Sequence, residues 1–282
     1  MVRKNFISVL LLAGGMGTRM GGSTPKQFQL LRGKALALYS FELFSHLEEV
    51  HEIVVVCDPL YRSLFSSSPK PVQFALPGQR RQDSVYHGLL AASPDAQLIC
   101  IHDSARPFLE KETVLTLFKK AFDSGAAALA TPATNTIKQA DASQKVRQTL
   151  PREDLWEMQT PQAIRRDLLL KAYAHAQSNG IEATDDLSLV EAMGKEAVLV
   201  KSSSRNFKIT TPFDWAVAEV LVVLPVNSPH LDRVKAPRFD DPERPNINSS
   251  IWGRSGSSNP GSFDAAPSGE NLRGGPPCHA SN

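Results

Sequence analysis

The chain has 282 residues, a formal net charge of +2 and 21% charged residues. That length suffices for one large domain or two small ones, and the charge balance excludes a dedicated nucleic-acid-binding surface. Its cysteines, Cys57, Cys100 and Cys278, form no C-x-x-C pair, which excludes a zinc site or a disulfide framework and suits a reducing, cytoplasmic setting.

Ile7–Leu12 is predicted as a buried strand. Arg3-Lys4 ahead of it resemble the start of a signal peptide. However, the apolar run ends in a glycine-rich turn rather than a cleavage site, and removing it would delete a core strand. Ala35–Leu47 is patterned as an amphipathic helix, Glu52–Cys57 as a strand, Pro59–Phe65 as a short helix and Val72–Ala75 as a short strand ended by Pro77-Gly78. Gln82–Ala92 is expected to be helical, Leu98–His102 a buried strand, Glu112–Ser124 a helix stopped by Gly125, and Ala126–Pro132 another strand. Continuous Val/Ile/Leu strands between helices indicate a Rossmann-like, mostly parallel α/β sheet covered on both faces.

Residues 134–158 break the pattern. Polar, alternating stretches around Asp141-Ala-Ser-Gln read as a β-hairpin arm leaving the sheet. The chain then returns to helices over Arg166–Ser178 and Asp186–Met193, strands over Ala197–Lys201 and Asn206–Thr210, and a last helix from Pro212 to Leu224. Residues 225–282 are rich in Pro, Ser, Gly and Asn and lack hydrophobic periodicity. They are read as a disordered tail beyond a folded domain of 1–224. No other stretch approaches the ~20 apolar residues of a membrane span.

Ligands of such sheets sit outside the carboxyl ends of the strands. Three loops with chemistry lie there. The first is Ala13-Gly14-Gly15-Met-Gly17-Thr-Arg19, with Lys26 following. Glycines let backbone N–H groups approach an anion, and the two cations suit a reaction at a triphosphate. It is no Walker loop, since no glycine precedes Lys-Ser or Lys-Thr, and a dinucleotide fingerprint from Gly15 would have Met20 at its sixth position. The second is Gly78-Gln-Arg-Arg-Gln-Asp83-Ser84, a helix entry that Asp83 or Ser84 can cap and whose first turn can meet a base or ribose. In the third, His102-Asp103-Ser-Ala-Arg106-Pro107, Asp103 follows a buried strand. It is either a helix cap or, beside Arg19 and Lys26, a ligand for Mg²⁺. Arg106 either holds phosphate or locks the loop. Each feature also has an ordinary reading: a tight turn, solvated cations, a cap, and at Lys208 a solvated lysine.

Seven motifs in order carry a resemblance over residues 5–224. They are Leu12-Ala-Gly-Gly-x-Gly-x-Arg19-Met, Pro25-Lys26-Gln27, Arg81-Gln-Asp-Ser-Val85, His102-Asp-Ser-Ala-Arg-Pro107, Trp156-Glu-Met-Gln-Thr-Pro-Gln162, Thr184-Asp-Asp186 and Asn206-Phe-Lys-Ile-Thr-Thr-Pro212. Together they resemble the 2-C-methyl-D-erythritol 4-phosphate cytidylyltransferases of the non-mevalonate isoprenoid pathway. The resemblance implies CMP transfer from CTP to methylerythritol phosphate with release of pyrophosphate, assisted by Mg²⁺ or another divalent cation. It assigns Arg19 and Lys26 to the triphosphate and the charge at the α-phosphorus. Ala13, Gly14, Gly15, Gly17, Gly78, Asp83 and Ser84 go to the nucleotide, and Asp103 to the metal and acceptor. Arg106, Thr136, Arg152, Thr160, Thr184 and Lys208 go to the acceptor, with Arg152 and Lys208 also catalytic. It further implies a homodimer in which the 134–158 arm carries Thr136 and Arg152 into the partner's site. One departure stands out: Pro151 precedes Arg152 where the family carries Asp. Two other readings remain at this point, a ribitol 5-phosphate cytidylyltransferase and a non-catalytic nucleotide-binding protein.

Overall fold

The computed structural model describes residues 5–15 and 24–223. The expected tail, Gly17 and Arg19 lie outside them. In chain order the elements are β1 (Ile7–Leu12), β2 (Leu30–Leu31), β3 (Lys34–Ala35), α1 (Leu36–His46), β4 (Val50–Val56), β5 (Val72–Ala75), α2 (Arg81–Ala91), β6 (Leu98–Asp103) and α3 (Lys111–Ser124). They continue with β7 (Ala126–Pro132), β8 (Ile137–Ala140), β9 (Val146–Leu150), β10 (Trp156–Arg165), α4 (Arg166–Asn179), α5 (Asp186–Glu191), β11 (Val198–Lys201) and α6 (Pro212–Leu221). None of these helices is long and apolar enough to cross a membrane.

Seven strands form one sheet in the order β11-β7-β10-β6-β1-β4-β5. β1 runs parallel to both β4 and β6. Side chains alternate across a strand, and here both faces are apolar. Val9, Leu11, Ile53, Val55 and Cys100 face α1 and α3, meeting Phe41, Phe44, Val114, Leu117 and Phe118. Leu10, Val54, Val56, Ile99 and Ile101 face α2, α4 and α5, meeting Val85, Leu89, Leu169, Tyr173 and Leu187. This two-sided burial is why the strands read as unbroken hydrophobic runs rather than alternating ones. Gly125 stops α3 with φ +92°, a conformation that disfavours any side chain.

Two strand expectations are corrected. Trp156–Arg165 is a ten-residue strand that lies antiparallel between β6 and β7. Its sequence, Trp-Glu-Met-Gln-Thr-Pro-Gln-Ala-Ile-Arg, carries polar residues and a proline that mask a buried strand. The pairing tolerates them because the register shifts between Met158 and Gln162, which releases the intervening residues from the ladder. Asn206–Thr210, by contrast, joins no sheet among the described residues. Its backbone is held by loop and side-chain partners instead: Ile209 N–H donates to Ala105 O, and Asn206 O accepts from Arg106. The 134–158 excursion does contain a hairpin, β8 against β9, as a separate two-stranded sheet. Pro151 stands between the end of β9 and a 3-10 turn, Arg152–Asp154.

Phe44 is fully buried and its ring meets His102 edge-on at 5.4 Å. Phe44→Ala should therefore destabilise the fold by about 3–5 kcal/mol in urea titration at pH 7, and a loss below about 1 kcal/mol would contradict this packing.

Candidate active site at the carboxyl ends of the strands

β1, β5 and β6 deliver their loops to one crevice of about 360 Å³. It is lined by Gly14, Gly15, Lys26, Gly78, Arg80, Arg81, Ser84, Asp103 and Lys208, among others. The loops meet at contact distance. A Cβ on Gly14 would stand 2.3 Å from Cβ of Pro77, and one on Gly78 would stand 2.3 Å from Cβ of Asp83. Only glycine fits at either place. Ala13 is the buried root of the first loop, its N–H donating to Val56 O. The Lys26 ammonium reaches across to Ile209 O at 2.6 Å, tying the 3-10 turn Lys26–Phe28 to the segment that carries Lys208.

The second loop is fixed by its helix. Asp83 accepts from the backbone N–H of Arg80 and from its guanidinium, so Asp83 caps α2. Its side chain lines a separate cavity behind that helix rather than the crevice. Ser84 Oγ accepts from Gly78 N–H at 2.9 Å, which ties the loop to the first helical turn.

Asp103 is the electrostatic centre. Its carboxylate accepts from Arg81 Nε at 3.1 Å and from Lys208 Nζ at 2.6 Å. Burial alone would raise its pKa, but Arg81 and Lys208 outweigh burial and hold it well below the ordinary carboxylate range. Arg81 also donates through Nη2 to Asp186 at 2.8 Å. Burial pushes the Asp186 carboxyl up and Arg81 opposes the shift. Both Arg81 and Asp186 stand in the sequence motifs, which by themselves assign neither a role. A short motif does not reveal that two carboxylates far apart in the chain share one guanidinium.

A neighbouring cavity of about 420 Å³ shares Arg81, Asp103 and Lys208 with the crevice and adds Arg106, Gln159, Thr160, Gln162 and Thr184. Thr160 Oγ1 accepts from Asp103 N–H at 3.0 Å and contacts His102 Nδ1 at 3.2 Å. The Thr160 proton is thus directed to Nδ1, leaving Nε2–H of His102 to donate to Arg106 O at 3.1 Å. Arg106 lines this cavity, and its guanidinium donates to Asn206 O at 2.7 Å. Gln162, fully buried, caps α5 by accepting from Asp186 N–H and Leu187 N–H and donating to Asp185. Thr136 and Arg152 line neither cavity of their own chain. Both are exposed at the base of the hairpin, where Arg152 donates to Thr134 O at 2.9 Å.

The model of the 2-C-methyl-D-erythritol 4-phosphate cytidylyltransferase family matches residues 7–223. The chain belongs to that family. A rice relative bearing that name, with the qualifier chloroplastic, is 46% identical over 225 residues, which are 78% of this chain and 76% of the relative. A relative of the same name from Chlamydia pneumoniae is 40% identical over 215 residues, covering 76% of this chain and 98% of the relative. The crystal structure of the enzyme from Thermus thermophilus matches with a TM-score of 0.63 at 33% identity, over 78% of this chain and all of that one. The family is one of nucleotidyltransferases, and its solved members share the mostly parallel sheet.

Burial pushes the His102 imidazole down to about 3. A lowered pKa means that the unfolded chain takes up a proton which the folded chain refuses, so stability falls as pH drops below about 6.5. Between pH 7 and 5 this one proton should cost about 2 kcal/mol. Urea titration at both pH values should show His102→Gln losing less stability than the wild type by that difference. Equal losses would mean that His102 titrates normally.

Proposed function

We propose that this chain transfers CMP from CTP to 2-C-methyl-D-erythritol 4-phosphate in the crevice between its glycine loop and Asp103. The observation that carries the reading is the crevice lining itself: two glycine-permitted close approaches leave backbone and the cations Lys26, Arg80, Arg81 and Lys208 facing one space, with Asp103 as its carboxylate. A phosphate oxygen of the acceptor attacks the α-phosphorus of CTP, the bond to the β-phosphate breaks, and pyrophosphate leaves. The nucleophile is already an anion, so no general base is required. Catalysis is positioning plus stabilisation of the charge that spreads over the phosphoryl oxygens.

On this reading the glycine loop and Lys26 hold the triphosphate, joined by Arg19. Gly78 and Ser84 face the cytosine end, and Asp83 acts behind them as the cap of their helix. Lys208, Thr160, Thr184 and the Asp103 carboxylate receive the polyol phosphate, with Arg106 fixing the Lys208 segment. Among the described residues no cluster of three or more His, Cys, Asp or Glu side chains encloses a metal. Asp103 suits a divalent cation that takes one protein oxygen and completes its shell with water and nucleotide phosphates, since a carboxylate that accepts two hydrogen bonds keeps further lone pairs. Such a cation would neutralise charge on the phosphate oxygens.

The hairpin supports a homodimer. An isolated two-stranded sheet is marginal in water, and β8–β9 is largely exposed, with Val146 62% exposed. A second copy would cover it and receive Thr136 and Arg152. The reading places the protein in the cytoplasm or another reducing compartment, in keeping with the buried free thiols Cys57 and Cys100; the rice relative is named chloroplastic. The comparisons do not favour the ribitol 5-phosphate alternative.

Mg²⁺-dependent pyrophosphate release from CTP should require methylerythritol phosphate and should not occur with ribitol 5-phosphate offered in parallel. Release with ribitol 5-phosphate alone would overturn the acceptor. Arg152→Ala and Lys26→Ala should each lose at least about tenfold in turnover, in line with the loss of a positioned charge-stabilising donor. Mixed subunits should regain activity, because one of the two heterodimer sites is intact. A verified heterodimer with no regained activity would refute the shared site.

A further inference from the structure

We infer that Gln27, in the wall of the crevice, is a positioning residue for the nucleotide that acts by holding the carbonyls of the glycine loop. The inference rests on the cytidylyltransferase reading above and adds to it the device that gives the phosphate-facing loop its shape.

Gln27 is 3% exposed and follows Lys26 in the same 3-10 turn. Its single amide nitrogen donates twice, to Ala13 O at 2.8 Å and to Gly15 O at 2.7 Å. Those carbonyls belong to the glycine loop. A peptide unit is planar and trans, so its C=O and the following N–H point in opposite directions. Holding the Ala13 carbonyl toward Gln27 therefore turns the Gly14 N–H away from Gln27. Among the described residues neither the Gly14 nor the Gly15 N–H has a hydrogen-bond acceptor, and both glycines line the crevice. Without this clamp the loop's own carbonyl oxygens are free to rotate toward the anion, and a glycine-rich segment has little intrinsic preference against doing so.

The turn that carries the clamp is itself anchored. Phe28 stacks on Tyr61 with ring centroids 3.7 Å apart and planes 11° from parallel. Lys26 is held by Ile209 O. One rigid turn thus supplies a cation to the crevice on one side and fixes the backbone donors on the other. Glutamine is suited to this task because it is neutral and carries two N–H groups on one atom. A glutamate would face two carbonyl oxygens with a third acceptor, and methionine would fill the space while donating nothing.

The test uses steady-state kinetics with CTP and methylerythritol phosphate varied separately, together with thermal melting. Wild-type turnover comes first: if the wild type releases no pyrophosphate with these substrates, the cytidylyltransferase reading fails independently of this inference. With an active wild type, Gln27→Met should raise the KM for CTP by at least tenfold while leaving the KM for the acceptor and the melting temperature close to wild type. A folded Gln27→Met with wild-type KM for CTP, or one in which both KM values rise together with a large fall in melting temperature, overturns the inference. Gln27→Glu decides the matter if the methionine variant does not fold. Ionised at pH 8, its carboxylate donates to neither carbonyl, so its KM for CTP should again rise at least tenfold with the KM for the acceptor close to wild type. A wild-type KM for CTP in this variant would overturn the proposal.

Discussion

The crevice depends on one shared guanidinium. Arg81 stands between Asp103 at the end of β6 and Asp186 at the start of α5, and both carboxylates are buried. Two buried carboxylates this close repel each other and lose hydration, a cost that only a cation held between them offsets. Arg81 belongs to the first turn of α2, so the loop before α2, the end of β6 and the start of α5 are fixed to the same atom group. Lys208 then approaches the remaining oxygen of Asp103 and inherits its position from that arrangement. Arg81 and Lys208 hold the Asp103 carboxyl well below the ordinary carboxylate range, so it carries its charge at neutral pH. Electrostatic stabilisation of this kind is effective because the groups are already in place when negative charge develops.

Around this centre the backbone is placed by close approach rather than by charge. The glycine loop touches Pro77, and Gly78 touches Asp83, at distances no side chain permits. Neutral amides do the rest. Gln27 gathers the carbonyls of the first loop and Gln162 caps α5 through Asp186 and Leu187. Thr160 fixes the Asp103 backbone with His102 behind it. Neutral groups suit this supporting layer because they orient their neighbours without adding charge to a site whose business is charge. The burial that keeps His102 neutral serves the same end.

β10 is the element that joins the two halves of the site. It enters the sheet antiparallel between β6 and β7 and its register breaks over Gln159–Pro161. That break aims Thr160 at Asp103 and leaves Gln162 within reach of α5. The same strand follows closely on the hairpin flanked by Thr136 and Arg152. The departure at Pro151 is accommodated at this junction. Proline lacks an N–H and fixes its φ, and it falls where β9 has ended and a 3-10 turn begins, a place that needs no ladder donor.

By itself the sequence determined most of the scaffold. β1, β5, β7 and the turn at Pro59–Phe65 lie at their expected limits, because continuous apolar runs and Gly or Pro stops are local signals. It also determined the family, through seven motifs in order, and which loops would converge, since strand ends in a parallel sheet share one edge. That Trp156–Arg165 is a strand emerges only on folding, since its polar residues are tolerated by a register break that no local pattern displays. Likewise, Asn206–Thr210 has the pattern of a strand, but pairing needs a neighbouring strand, and among the described residues none lies beside it. The tertiary structure also shows partners that residue type leaves open: Arg106 donates to Asn206 O, and Asp83 accepts from Arg80 at the start of α2. The Arg81 bridge was invisible for the same reason: a residue's type tells what bonds it can make, and only folding sets which partner lies within about 3 Å to make them.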